Sequence, residues 1–140
     1  MTQNRATNLI EPGLLHQAIT DAILGNFFQV HRELGPGYVE SIYATAMAVA
    51  LTQAGFRVKR EVPIAVYFRG VEVGFFRADM VVEEVVLLEF KAGRDPNPEF
   101  EARTLNYLHC TRLELGLLLY FNQRATFKRL IYTNDRKLLP

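Results

Sequence analysis

The chain of 140 residues and 16.0 kDa, 49% apolar and 22% charged, has the length and composition of one compact domain, which excludes a disordered tail protein. Sixteen Lys and Arg against fifteen Asp and Glu leave a net charge of +1, so any contact with a polyanion has to be local. The single cysteine, Cys110, excludes an intramolecular disulfide framework and a multi-cysteine zinc site, and with no signal-like start the expected compartment is the cytoplasm.

From Pro12 to Leu34 the apolar residues Leu15, Ile19, Ile23, Phe27, Val30 and Leu34 recur at three and four residues, which predicts a helix stopped by Gly35-Pro36-Gly37. A second helix is expected from about Glu40 to Ala54, apolar nearly all round and therefore buried, with Gly55 as its stop. Val62 to Phe68 and Val71 to Phe76 read as a hairpin around Arg69-Gly70. Phe76 to Val82 and Val85 to Lys91 read as a second strand pair, whose Val85-Val86-Leu87-Leu88 run suits a strand buried on both faces. A Gly and Pro loop then leads to a helix from about Pro98 to Cys110, with Arg103, Asn106 and Tyr107 on one side. Leu113 to Phe121 and Phe127 to Tyr132 close the chain as strands. The order α, α, β, β, β, β, α, β, β implies an α/β sandwich around a mixed sheet, one domain over residues 1–140 with its core at about 10–132. No run approaches the roughly 18 apolar residues of a membrane span, so no membrane partner is expected.

The chemistry concentrates on Asp79, Glu89 and Lys91, charges set in otherwise apolar strands where burial is costly. In Glu89-Phe90-Lys91 the strand period places Glu89 and Lys91 on one face and turns Phe90 inward. Asp79 meets Glu89 on the same face only if the turn between the strands has an odd length, such as Glu83-Glu84-Val85, or a bulge. An isolated E-x-K reads as a cross-strand ion pair at a sheet edge. An aspartate on the neighbouring strand turns the same residues into converging carboxylates, whose repulsion a divalent cation relieves. Oxygen donors, with the Phe90 carbonyl as one more, select Mg²⁺ or Mn²⁺ over zinc, and Lys91 beside them can orient an attacking water for phosphodiester hydrolysis.

The chain resembles the small GxxExxY proteins, a branch of the PD-(D/E)XK nuclease superfamily. The name motif is intact as Gly37-Tyr38-Val39-Glu40-Ser41-Ile42-Tyr43, and the likeness continues through Arg60-Glu61-Val62-Pro63, Tyr67-Phe68-Arg69-Gly70, Arg77-Ala78-Asp79, Glu89-Phe90-Lys91-Ala92 and Leu105-Asn106-Tyr107-Leu108. It implies a restriction-endonuclease-like core with two N-terminal helices and a metal-dependent nuclease acting on DNA or RNA. Asp79, Glu89 and Lys91 then match the catalytic positions, Glu40 adds an acid from the preceding helix, and Tyr43, Asn106 and Tyr107 support the site. Arg103 stands where the family pattern usually has Gln, either holding a substrate phosphate or occupying the space of the metal with a fixed charge.

Three further readings are plainer. Glu40 in a first helical turn also suits the helix dipole alone, and Tyr43 suits packing with its hydroxyl partnered. His16, His31, His109 and Cys110 have no partner set for a metal and read as structural or solvated. Arg124, Lys128, Arg129, Arg136 and Lys137 read as a solvated face or a phosphate-contacting rim. A catalytically inactive module that binds nucleic acid or a protein stays open beside the nuclease, and a homodimer would form if Leu115 to Phe121 lay at a sheet edge.

Overall fold

A computed structural model describes residues 15–137. The elements are helices α1 (Gln17–Leu34) and α2 (Glu40–Gln53), strands β1 (Val58–Phe68), β2 (Val71–Val82) and β3 (Val86–Ala92), helix α3 (Pro98–His109), and strands β4 (Leu115–Phe121) and β5 (Ala125–Ile131). The expected start of the first helix at Pro12 lies outside the described residues. The five strands form one mixed sheet in the order β1-β2-β3-β4-β5, antiparallel throughout except for the parallel β3/β4 pair that α3 connects.

Two helices cover one face and one covers the other, as a sheet whose central strands are apolar on both faces requires. Ile23, Phe27 and Val30 of α1 and Tyr43, Met47 and Leu51 of α2 pack on Met80, Val82, Leu88, Phe90, Leu117, Leu119 and Phe121. On the opposite face Leu108 of α3 packs with Leu87, Ala78, Ile64 and Leu130. Helix α3 approaches β4 closely because Gly116 has no side chain: a Cβ there would lie 3.2 Å from Thr104 Cγ2. Its start is fixed by Asn97, whose side chain accepts the Glu99 N–H at 2.8 Å, and by Pro98 in the first turn.

Three expectations need correction. The fragments Val71 to Phe76 and Phe76 to Val82 are a single strand, because no turn separates them and β2 pairs with β1 along its length, so eight main elements replace nine. Helix α2 is not buried all round: it lies over the sheet on one face, and Ile42 and Val49 are 44% and 51% exposed on the other. Strand β4 is interior, paired to β3 and β5, so the edge needed for pairing two copies through Leu115 to Phe121 does not exist. None of the described helices is long and apolar enough to cross a membrane.

Candidate active site

The β2–β3 connection sets the register of the site. Glu83 and Glu84 both have positive φ, 53° and 60°, and the Val85 N–H returns to the Val82 carbonyl at 3.1 Å, a tight turn that matches the strand twist. The ladder nevertheless pairs Val82 with Val86, Val81 with Leu87 and Met80 with Leu88, so Val85 is an extra residue and the turn counts as odd. Continued by one step, this register sets Asp79 opposite Glu89, the condition that the sequence imposed.

At that step the backbone ladder gives way to side chains. The Asp79 N–H donates to Glu89 Oε2 at 2.8 Å, and the Phe90 N–H donates to Asp79 Oδ2 at 2.8 Å. Each carboxylate therefore holds the backbone of the other's strand, and each keeps a second oxygen outside this reciprocal tie. The neighbouring strand is irregular at the same level. Glu61 of β1 has φ of 49°, and the β1/β2 pairing passes from Arg60–Met80 to Val62–Ala78 without a regular pair between. Val58, Met80 and Val82 pack on the α1/α2 side, whereas Val62, Ile64 and Ala78 pack on the α3 side, so the β1–β2 ribbon changes face at Glu61 and Asp79.

The two faces receive different groups. On the α2 side a cavity of about 240 Å³ is lined by Glu40, Ser41, Arg60, Glu61, Asp79 and Phe90 among others. Glu40 opens α2, and its Oε2 accepts the Ala92 N–H at 3.4 Å. On the α3 side Glu89 is buried, 7% exposed, and Lys91 stands beside it with Nζ 4.5 Å from the centre of the Phe100 ring, which Arg94 also overlies. Lys91 is thus not in a cross-strand ion pair: among the described residues the ion pairs are those of Arg57 with Glu83 and Glu84.

The electrostatics follow from burial. Glu89 is pushed up to about 8, first by loss of solvent and then by the Asp79 charge, against the Asp79 N–H, Lys91 and Arg103, which favour ionisation. Asp79 is also raised, by burial first, with the Phe90 N–H and Lys91 opposing and Glu40 and Glu61 adding to the rise. The hydroxyl of Tyr107 is raised by burial and by the Glu89 charge, and its ring stacks on Phe76 with centroids 3.8 Å apart. Arg103 and Asn106 are exposed on α3, with the Arg103 charge reaching Glu89.

Tyr43 is fully buried and faces away from this chemistry. Its Oη donates to the Gly35 carbonyl and accepts the Tyr38 N–H, and its ring stacks on Phe121 at 4.2 Å. It ties the glycine-rich loop to α2 and so fixes where Glu40 emerges. Glu61 is the acid that the sequence reading passed over: its signal is a left-handed backbone inside a strand, which no residue pattern announces. Among the described residues no three Asp, Glu, His or Cys side chains are gathered closely enough to hold a metal ion. In kind the donors suit a hard divalent cation: carboxylate oxygens beside a backbone carbonyl, around a cavity, with desolvation pressing on the acids.

A mixed sheet with an acid pair at the parting of two strands, a lysine two residues on and a helix-borne glutamate defines a restriction-endonuclease-like nuclease fold. The model of the PD-(D/E)XK nuclease superfamily matches residues 17–130, and the chain belongs to that superfamily. Two solved structures are similar in fold: the protein SSO0001 (18% identity, TM-score 0.52, 68% of this chain and 50% of that one) and an alkaline exonuclease from Laribacter hongkongensis (15% identity, TM-score 0.50, 68% and 56%). The chain spans about half the length of these structures. No protein of curated function matches it.

Proposed function

We propose that the protein is a metal-dependent nuclease that hydrolyses phosphodiester bonds of DNA or RNA. The observation that carries this reading is the reciprocal Asp79–Glu89 tie, a desolvated acid pair held by backbone beside a third and a fourth carboxylate. Ionising both acids there costs desolvation and mutual repulsion, which a bound cation relieves. Glu40, Asp79, Glu89 and the Phe90 carbonyl would hold Mg²⁺ or Mn²⁺, which when bound neutralises the acids and stabilises charge on a phosphate oxygen. Lys91, kept on the Glu89 side by Phe100, orients the attacking water, and Arg103 contacts the phosphate from α3. The intact GxxExxY motif supports placement in that branch, with Glu40 as its acid and Tyr43 as its structural tie.

Calorimetric titration with Mg²⁺ and Mn²⁺, run beside cleavage of single-stranded, duplex and branched substrates, tests this. Asp79→Asn should lose saturable binding and cleavage together, and Lys91→Ala should lose cleavage while keeping binding and fold. Absence of binding at millimolar metal together with absence of cleavage in the wild type would sink it. A second reading, a nuclease-fold module that binds nucleic acid or a protein without cutting it, is favoured by one observation: the exposed Arg103 charge acts on Glu89, where a metal would sit. In that case Arg103→Gln creates metal binding that the wild type lacks.

A further inference from the structure

Beyond the face change at Glu61 and Asp79, the β1–β2 hairpin keeps Ile64 and Phe76 packed on the α3 side and leaves its tip, residues 67–75, exposed, with side chains unlike those of an ordinary solvated ribbon. Phe68 and Phe75 are 59% and 60% exposed, and Tyr67 and Val73 are exposed as well. Each phenylalanine carries an arginine: Arg69 Cζ lies 4.9 Å from the Phe68 ring centre and Arg77 Cζ 5.9 Å from that of Phe75. Over residues 62–77 the arm carries Arg69 and Arg77 against one carboxylate, Glu72, and each cation sits over an exposed ring.

Its orientation follows from the pairing. Phe76 and Ile64 are cross-strand partners packed towards α3, so Phe75 with its partner Ala65, and Arg77 with Pro63, point to the opposite side, on which α2 lies. That is the side of the cavity lined by Glu40 and Asp79. At the rise of an extended strand, Arg77 stands about 7 Å and Phe75 about 13 Å from Asp79 along β2. Thirteen ångströms is about four stacked nucleotides at 3.4 Å each.

We infer that this arm is a stacking platform for single-stranded nucleic acid, with Phe75 and Phe68 taking bases, Arg77 and Arg69 taking phosphates, and the strand led along β2 to the acidic cavity. Exposed rings paired with guanidinium groups are the elements of sequence-tolerant single-strand binding. Among the C-terminal cations Arg136 also overlies a ring, Tyr132 at 4.8 Å, but that ring is half-buried rather than open for a base. Lys137 Nζ is engaged by the Thr111 and Leu113 carbonyls and Arg129 by that of Leu15, so these two brace the fold. A duplex offers its bases only at their edges, so flat exposed rings favour the single strand. The inference rests on the nuclease reading for the role of the cavity but not for the binding itself.

The test is fluorescence anisotropy of labelled single-stranded DNA, single-stranded RNA and duplex DNA against the full chain in chelator, where cleavage cannot interfere. Phe75→Ala and Phe68→Ala should each weaken single-strand binding about five-fold or more, with Phe75→Trp restoring it. Duplex binding should be the weaker in the wild type and insensitive to both changes, and Phe127→Ala, an exposed ring on the far edge strand, should change nothing. Wild-type affinity in both alanine variants overturns the inference, and if the wild type still cleaves with Mg²⁺, the nuclease reading survives it. Single-strand binding lost in the variants but no cleavage under any metal keeps the arm and removes the nuclease. A concentration-dependent dimer dissolved by Phe75→Ala, with no effect on oligonucleotides, assigns the arm to a second copy of the chain instead.

Discussion

At the scale of single residues, Glu89 carries the most readable prediction. Its carboxyl is pushed from an ordinary 4.5 up to about 8 by burial and by Asp79, so between these values the folded chain keeps a proton that the unfolded chain has lost. Stability therefore falls as the pH rises from about 4.5 to 8 and levels off above. Glu89→Gln keeps an acceptor for the Asp79 N–H but has nothing to ionise. Its Tm should exceed that of the wild type by about 5 °C or more near pH 8.5 and converge on it near pH 5; thermal unfolding across that range measures the gap, and a gap independent of pH contradicts the assignment. These residues are legible in the sequence because a charge in an apolar strand has to be explained, and the parity of the turn makes the explanation conditional. Glu61 was not legible: Val58-Lys59-Arg60-Glu61 is too charged to read as strand, and the positive φ that sets Glu61 beside Asp79 comes from tertiary pairing.

At the scale of elements, the helices hold strands and loops in place besides carrying Glu40 and Arg103. Tyr43 has both hydroxyl partners in the Gly35 to Tyr38 loop, so Tyr43→Phe leaves a half-buried carbonyl and an N–H without their partner and should cost about 1 kcal/mol while leaving metal titration and cleavage unchanged below Tm. A loss of activity at full stability would make Tyr43 part of the chemistry. Helix α3 tests packing on the opposite face: Gly116→Val drives methyl groups into Thr104 and Leu108 and should destabilise by about 1–3 kcal/mol, measurable by chemical denaturation. Apolar periodicity located all three helices and the hairpin turn at Arg69-Gly70, since those depend on local spacing. It divided β2 in two and buried α2 too completely, because neither the length of a ribbon nor which apolar stripe meets the sheet is contained in a short window.

At the scale of the whole molecule, strand order explains why the site is both stable and electrostatically stressed. Strands β3 and β4 are central and sheathed by helices on both faces, so Glu89 sits midway along β3 within its buried run Val86 to Phe90, while Asp79 sits where β2 leaves the sheet to form the arm. That arrangement was foreseeable from one parallel step across α3 between two apolar strands; the face change that brings Glu40 and Glu61 to the other side of Asp79 was not. It also couples ligand binding to global stability, since the unfolded chain cannot assemble carboxylates from α2, β1, β2 and β3. A cation that binds only the folded chain adds about 2.7 kcal/mol at a hundredfold excess over Kd, which for a chain of this length is a rise in Tm of about 5–10 °C. Thermal unfolding with millimolar Mg²⁺ should show that rise in the wild type, chelator should reverse it, and Asp79→Asn should show none of it at matched ionic strength. An equal rise in both chains would mean that the ion acts by screening the surface, and no rise in either would mean that the acid pair is held by protons and backbone alone.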